Sequence, residues 1–148
     1  MKILVTVGTT AFDSLVLNVD KYCYKYRNDE LIFQTCNELS TLSGVSFTFS
    51  KEIEAYYTSS DLVITHGGAG SIYKLLELNK KIIVCPNFDR IDHHQAEICK
   101  YVERNNFALV AWDPTTIGKL IDKSEYFIPS IYIKESFFKF KEISNIIC

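Results

Sequence analysis

The chain has 148 residues, 47% hydrophobic and 23% charged, with a net charge of −2. This is the size and balance of one globular domain with a real core. It excludes a general nucleic-acid binder, which carries a basic face, and no apolar run approaches the roughly 20 residues that span a bilayer.

The opening MKILVTVGTT lacks the apolar stretch and small-residue cleavage site of an export signal. The five cysteines, Cys23, Cys36, Cys85, Cys99 and Cys148, show no CxxC spacing and no Cys/His ligand pair. They are expected as reduced thiols in a cytoplasmic protein, most of them serving as small buried hydrophobes.

In chain order, KILVTV (2–7) predicts a strand ending at Gly8. Residues 11–26 place Phe12, Leu15, Val16, Val19 and Cys23 on one helical stripe. ELIFQTC (30–36) and VSFTF (45–49) predict strands. Residues 50–58 predict a short helix with Ser50 as N-cap, and DLVIT (61–65) a buried strand. A helix over 70–79, a strand KIIVCP (81–86) and a helix over 92–104 follow. FALVAW (107–112) predicts a strand, and Asp113-Pro114 opens a helix to about Asp122, with Pro114 at the tolerant first position.

Strands alternating with helices imply right-handed crossovers and an open parallel α/β sheet, a Rossmann-like fold. KILVTV, DLVIT and KIIVCP are apolar on both faces, as strands covered by helices on both sides are. Residues 1–122 are expected to form the domain. Residues 123–148 are expected as a tail in which Phe137, Phe138, Ile143, Ile146 and Ile147 mark a helical stripe. That stripe would pack on the domain, on a partner or on a membrane surface.

Ligands of such sheets bind beyond the carboxyl ends of the strands. Three polar or Gly-rich turns fall there: VGTTAF, THGGAGS (65–71) and PNFDRIDHHQ. Gly67, Gly68 and Gly70 lie at a strand-to-helix turn, where free backbone N–H groups and the helix dipole suit an anion such as a diphosphate. Ser71 adds a hydroxyl. The competing structural explanation is a tight turn that needs positive φ and close packing. Neither GxGxxG nor GK[ST] is present, which disfavours NAD and ATP bound by those loops.

VTVGTTAFDSL, DLVITHGGAGSIYKLLEL, KKIIVCPN and DHHQAEICKYVER, in series over residues 1–122, resemble the glycosyltransferase family 28 C-terminal domain. The likeness is to its short stand-alone form, found in the dolichol pathway and in paired bacterial capsule and exopolysaccharide enzymes. The resemblance implies the nucleotide-sugar-binding half of a GT-B enzyme that takes a UDP-sugar. The acceptor, a polyprenyl-diphosphate-linked sugar, would be bound by a separate membrane-associated subunit, which would recruit this chain to the cytoplasmic face of the membrane.

By the same resemblance Gly8, Thr9 and Thr10 would face the donor phosphates. His66, Gly67, Gly68, Ala69, Gly70 and Ser71 would hold diphosphate or sugar, and Asn87, His94 and Gln95 would touch the sugar or close the cleft. His66 has a structural alternative as a hydrogen-bonded histidine. His93 and His94 have one as a solvated helix start beside Asp92 as N-cap. Asp13 and Asp89 are candidate carboxylates with equal claims as caps. Aligning on Pro86 puts Lys74 where the family has a ribose-binding Glu; a lysine accepts no hydrogen bond from a diol. Glu77, nearly one turn on, is an imperfect substitute. The implied reaction is displacement at the anomeric carbon with inversion, by a base the sequence does not identify. No cofactor and no metal are expected, since no DxD-like turn is present. Lys74 also leaves open a non-catalytic subunit that supports a glycosyltransferase partner.

Overall fold

The structure is a computed structural model and describes residues 1–39, 42–88 and 94–134. Six strands form one parallel sheet: β1 (Lys2–Thr6), β2 (Glu30–Gln34), β3 (Val45–Phe47), β4 (Leu62–His66), β5 (Ile82–Cys85) and β6 (Leu109–Val110). Their spatial order is β3-β2-β1-β4-β5-β6. The order reverses between β1 and β4, which pair from Ile3↔Leu62 to Thr6↔Thr65. That reversal opens a crevice above the carboxyl ends of these two strands.

The alternation of each strand sorts the core into two layers. Ile3, Val5, Phe33, Leu62, Ile64 and Ile83 face α1 (Asp13–Tyr26) and α5 (Ile117–Ser124), burying Leu15, Val16, Val19, Ile117 and Ile121. Leu4, Ile32, Val63, Ile82 and Val84 face α2 (Ile53–Ser59), α3 (Ala69–Glu77) and α4 (His94–Arg104), burying Tyr57, Ile72, Leu75, Leu76, Cys99 and Val102. Both faces of the sheet are covered, as the uninterrupted apolar runs require.

Several boundaries differ from the sequence reading. Ser50 does not cap α2: its hydroxyl accepts from the Glu52 N–H, and Glu52 is the N-cap residue. The 107–112 strand contracts to Leu109–Val110, because among the described residues β6 is an edge strand paired only with β5, at Ile83↔Leu109 and Val84↔Val110. Asp113 opens a 3-10 turn over Pro114–Thr116, its carboxylate accepting from the Thr115 N–H, before α5 begins. The proposed Asp92 cap and the 135–148 stripe lie outside the described residues.

After α5 the chain turns at residues 125–126 and continues without helix or strand to Lys134, so the helical tail expected from residue 123 ends at Ser124 among the described residues. Asn106, at φ +57°, anchors this stretch: its carbonyl accepts from the Ser130 N–H at 2.8 Å, and its side chain donates to the Ile128 carbonyl at 3.2 Å. Tyr132 packs edge-on against Phe107. No helix among the described residues is long and apolar enough to cross a membrane.

Candidate functional site

The loops after β1 and β4 meet at the crevice, and a histidine joins them. His66 ends β4 with its ring between two glycines. A β-carbon at Gly68 would lie 2.4 Å from the ring Nε2, and one at Gly8 would lie 3.1 Å from Cε1. At Gly67 it would lie 2.6 Å from the Gln95 Cβ. Gly67 and Gly68 therefore lack side chains because protein atoms fill the space, whereas at Gly8 the left-handed backbone adds to a tight contact. Positive φ does not explain the HGGAGS loop: among the described glycines only Gly8 is left-handed, at +67°.

Gly70 is different. A β-carbon there would meet nothing within 4 Å. It occupies the first turn of α3, whose first helical bond runs from the Ile72 N–H to the Gly68 carbonyl. The preceding N–H groups, on Ala69, Gly70 and Ser71, have no helical acceptor, as at every helix start. They carry the positive end of the α3 dipole into open space beside the topological switch point.

Three side-chain amides, half-buried Gln95 and buried Asn87 and Gln34, hold this edge together. The Gln95 Oε1, on α4, accepts from the Gly67 N–H at 3.2 Å and from the Asn87 N–H at 3.0 Å. Asn87 is buried after β5 and donates through Nδ2 to the Ala11 carbonyl at 3.1 Å. Gln34 closes β2, a position the sequence reading did not single out. Its Oε1 accepts from the Thr6 hydroxyl at 2.7 Å and from the Gly8 N–H at 2.9 Å. Its only signal in sequence is a polar residue ending an apolar strand at the ligand-binding edge.

These bonds sort the expected site residues. The N–H groups of Gly8 and Gly67 are spent inside the fold, and so is the Gln95 oxygen. Ala69, Gly70 and Ser71 remain open to a ligand, with exposed Thr9 and half-buried Thr10 across the crevice. His94 begins α4 and is exposed. Asp13 begins α1, and Asp89 and His93 lie outside the described residues. Lys74 turns to α2, its Nζ 3.1 Å from the Glu54 Oε1. Glu77 is paired through Oε1 with Lys134 at 3.1 Å. No group of three His, Cys, Asp or Glu side chains suited to a metal ion occurs among the described residues.

Burial of the His66 ring pushes its pKa below the ordinary value, and a hydrogen bond to the Thr6 backbone opposes that only partly. The ring is therefore neutral at pH 7, packing against the anion-facing turn without adding charge. A histidine held below its unfolded pKa of about 6.5 makes the unfolded state bind the extra proton first, so its contribution to stability is full above that pH and shrinks as pH falls below it. Urea unfolding of wild type and His66→Gln at pH 7.5 and 5.5 checks this. The stability difference between them should narrow at pH 5.5; parallel behaviour contradicts it.

Residues 2–127 match the glycosyltransferase family 28 C-terminal domain. The chain is 28% identical over 134 residues to the UDP-N-acetylglucosamine transferase subunit ALG13 of Yarrowia lipolytica, covering 80% of this chain and 68% of that one. It is 37% identical over 70 residues to the Candida albicans subunit of the same name, covering 47% of this chain and 24% of that one. The match to the human subunit, 30% identical over 115 residues, spans 69% of this chain and 10% of that protein. Among solved structures, the NMR structure of ALG13 overlays with a TM-score of 0.64 at 23% identity, covering 89% of each chain. Acinetobacter baumannii MurG overlays with a TM-score of 0.67 at 14% identity, covering 82% of this chain and 40% of that one. These two show the fold: an open six-stranded parallel sheet flanked by helices, like a GT-B glycosyltransferase half. The match over residues 2–127, with this sheet, places the chain in the glycosyltransferase family 28 C-terminal domain family.

Proposed function

We propose that this chain is the donor-binding half of a two-component inverting glycosyltransferase. The donor is a UDP-sugar, and the relatives named above point to UDP-N-acetylglucosamine. The observation that carries the reading is the first turn of α3, three N–H groups beside an open Gly70 at the switch point of the sheet. A diphosphate on that turn has its charge met by backbone donors and the helix dipole.

In the reaction an acceptor hydroxyl oxygen attacks the anomeric carbon from the face opposite the diphosphate. The bond from that carbon to the phosphate oxygen breaks, and the electron pair leaves with UDP. The hydroxyl proton passes to a base. Charge grows on the leaving diphosphate, and donors fixed before the reaction are most effective there. The α3 turn and the Ser71 hydroxyl supply them. The base and the acceptor site, for a polyprenyl-diphosphate-linked sugar, belong to a membrane-associated partner that brings this chain to the cytoplasmic face. Residues 1–122 are the donor domain in this reading, and the segment from 123 onward is a tail that packs on the domain or on the partner; its stretch to Lys134 is tied to the domain through Asn106 and Phe107.

A second reading, a non-catalytic support subunit, is favoured by Lys74. The helix position one turn past Gly70 carries a cation engaged with Glu54 and offers a ribose no acceptor. One assay separates the two. The purified chain, its partner and the mixture are each supplied with lipid-linked acceptor and a panel of UDP-sugars. The donor reading expects negligible transfer by either alone and transfer by the mixture, lost when Gly70 is changed to Val. Transfer by this chain alone refutes the division of labour, and transfer by the mixture that survives Gly70→Val supports the second reading.

A further inference from the structure

Gln34 lies behind the crevice and is 7% exposed, yet it ties the end of β1 and the loop after it to the segment beyond β3. Its Oε1 accepts from the Thr6 hydroxyl at 2.7 Å, the Val7 N–H at 3.2 Å and the Gly8 N–H at 2.9 Å. Its Nε2 donates to the Gly8 carbonyl at 2.9 Å and the Thr48 carbonyl, beyond β3, at 3.0 Å. One amide thus grips both backbone polar groups of Gly8, the glycine held at φ +67°. Gly8 in turn packs on the His66 ring, and the ring packs on Gly68, the N-cap of α3.

We propose that Gln34 is a positioning residue for the donor site, acting through Gly8 and His66 on the first turn of α3. The proposal rests on the donor-binding reading for its ligand. Only a primary amide presents an acceptor and a two-proton donor on one planar group. Asparagine has the same group but is one methylene shorter. A carboxylate of equal length keeps the acceptor half and loses the donors to Gly8 and Thr48. A thioether of similar volume loses both halves and leaves buried backbone groups unpaired, which strains or moves the loop. The loop after β1 would then drift from its left-handed corner, and the ring that spaces β4 from α3 would lose its wall.

The test uses the full chain with UDP as probe. Gln34→Met, Gln34→Glu and Ile121→Val are compared with wild type by calorimetric titration and by amide and imidazole NMR. Ile121 is fully buried in the α5 layer away from the crevice, so Ile121→Val is a control that lowers stability without touching the site. Gln34→Met is expected to weaken UDP at least about tenfold. Its Gly8 and Gly70 amide and His66 ring resonances should move without ligand. Gln34→Glu, which retains the acceptor contacts, should lose less. Ile121→Val should bind UDP as wild type does. If Gln34→Met does not fold, Gln34→Glu carries the test, expected to lose affinity with the same resonances shifted. Wild-type affinity in a folded Gln34 variant overturns the proposal. So does an affinity loss matched by Ile121→Val, which would mark a structural role alone. If wild type itself binds no UDP, the donor reading fails, and the resonances decide separately. Shifts reaching Gly70 in Gln34→Met uphold positioning, and shifts confined to Gly8 overturn it.

Discussion

Gly70→Val will weaken UDP binding by about tenfold or more, about 1.4 kcal/mol, while the protein melts where wild type does. The two halves of this expectation have separate causes. In the fold, a β-carbon at Gly70 meets nothing within 4 Å, so no packing opposes it. Valine in a helix is slightly better than glycine, by a few tenths of a kcal/mol. In the complex, the branched side chain stands over the N–H groups that receive the diphosphate. Calorimetric titration with UDP and a thermal melt on the same sample check both halves. Unchanged affinity in a folded Gly70→Val means that the anion does not sit on this turn.

Gly68→Val, two residues earlier, is expected to cost both stability and binding. Its β-carbon would lie 2.4 Å from the His66 Nε2 and 2.9 Å from Cε1. The ring cannot retreat freely, because Gly8 lies on its other side and the Thr6 backbone holds it. Overpacking of this kind costs about 2–3 kcal/mol. In a chain of this size that lowers the melting temperature by about 5–10 °C. UDP affinity falls as well, because the N-cap of α3 moves with the clash. Removing the ring should restore most of the stability, so His66→Ala/Gly68→Val should melt above Gly68→Val. A Gly68→Val protein as stable as wild type would show that the ring does not fill this space.

The layered sheet was legible because its signal is local and repeated. The runs from Ile3 to Val7, Leu62 to Thr65 and Ile82 to Cys85 are apolar on both faces, and only a strand covered on both sides tolerates that. Edge elements were less legible. Phe107 to Trp112 has the composition of a strand, but length at an edge depends on what the neighbour offers, and β5 pairs two of its residues there.

The site divided along a different line. The turn at residues 65–71 announces close approach by its glycines, but composition does not say what approaches. At Gly67 and Gly68 the answer is Gln95 and His66, and at Gly70 it is open space. These cases are identical in sequence and opposite in consequence. Gln34 shows in sequence only as a polar strand end, because the partners that define its role, Thr6 to Gly8 and Thr48, lie 14 to 28 residues away in the chain. Lys74 was conspicuous as a departure, and its pairing with Glu54 on α2 became apparent only once α2 and α3 were placed side by side.

The central claim is that the first turn of α3 receives the diphosphate, and UDP titration followed by amide NMR tests it most directly. The Ala69, Gly70 and Ser71 N–H resonances should shift progressively and saturate together. The Gly8 and Gly67 N–H groups, already bonded to Gln34 and Gln95, should move less. Saturable binding that leaves the three α3 amides unmoved would contradict the account.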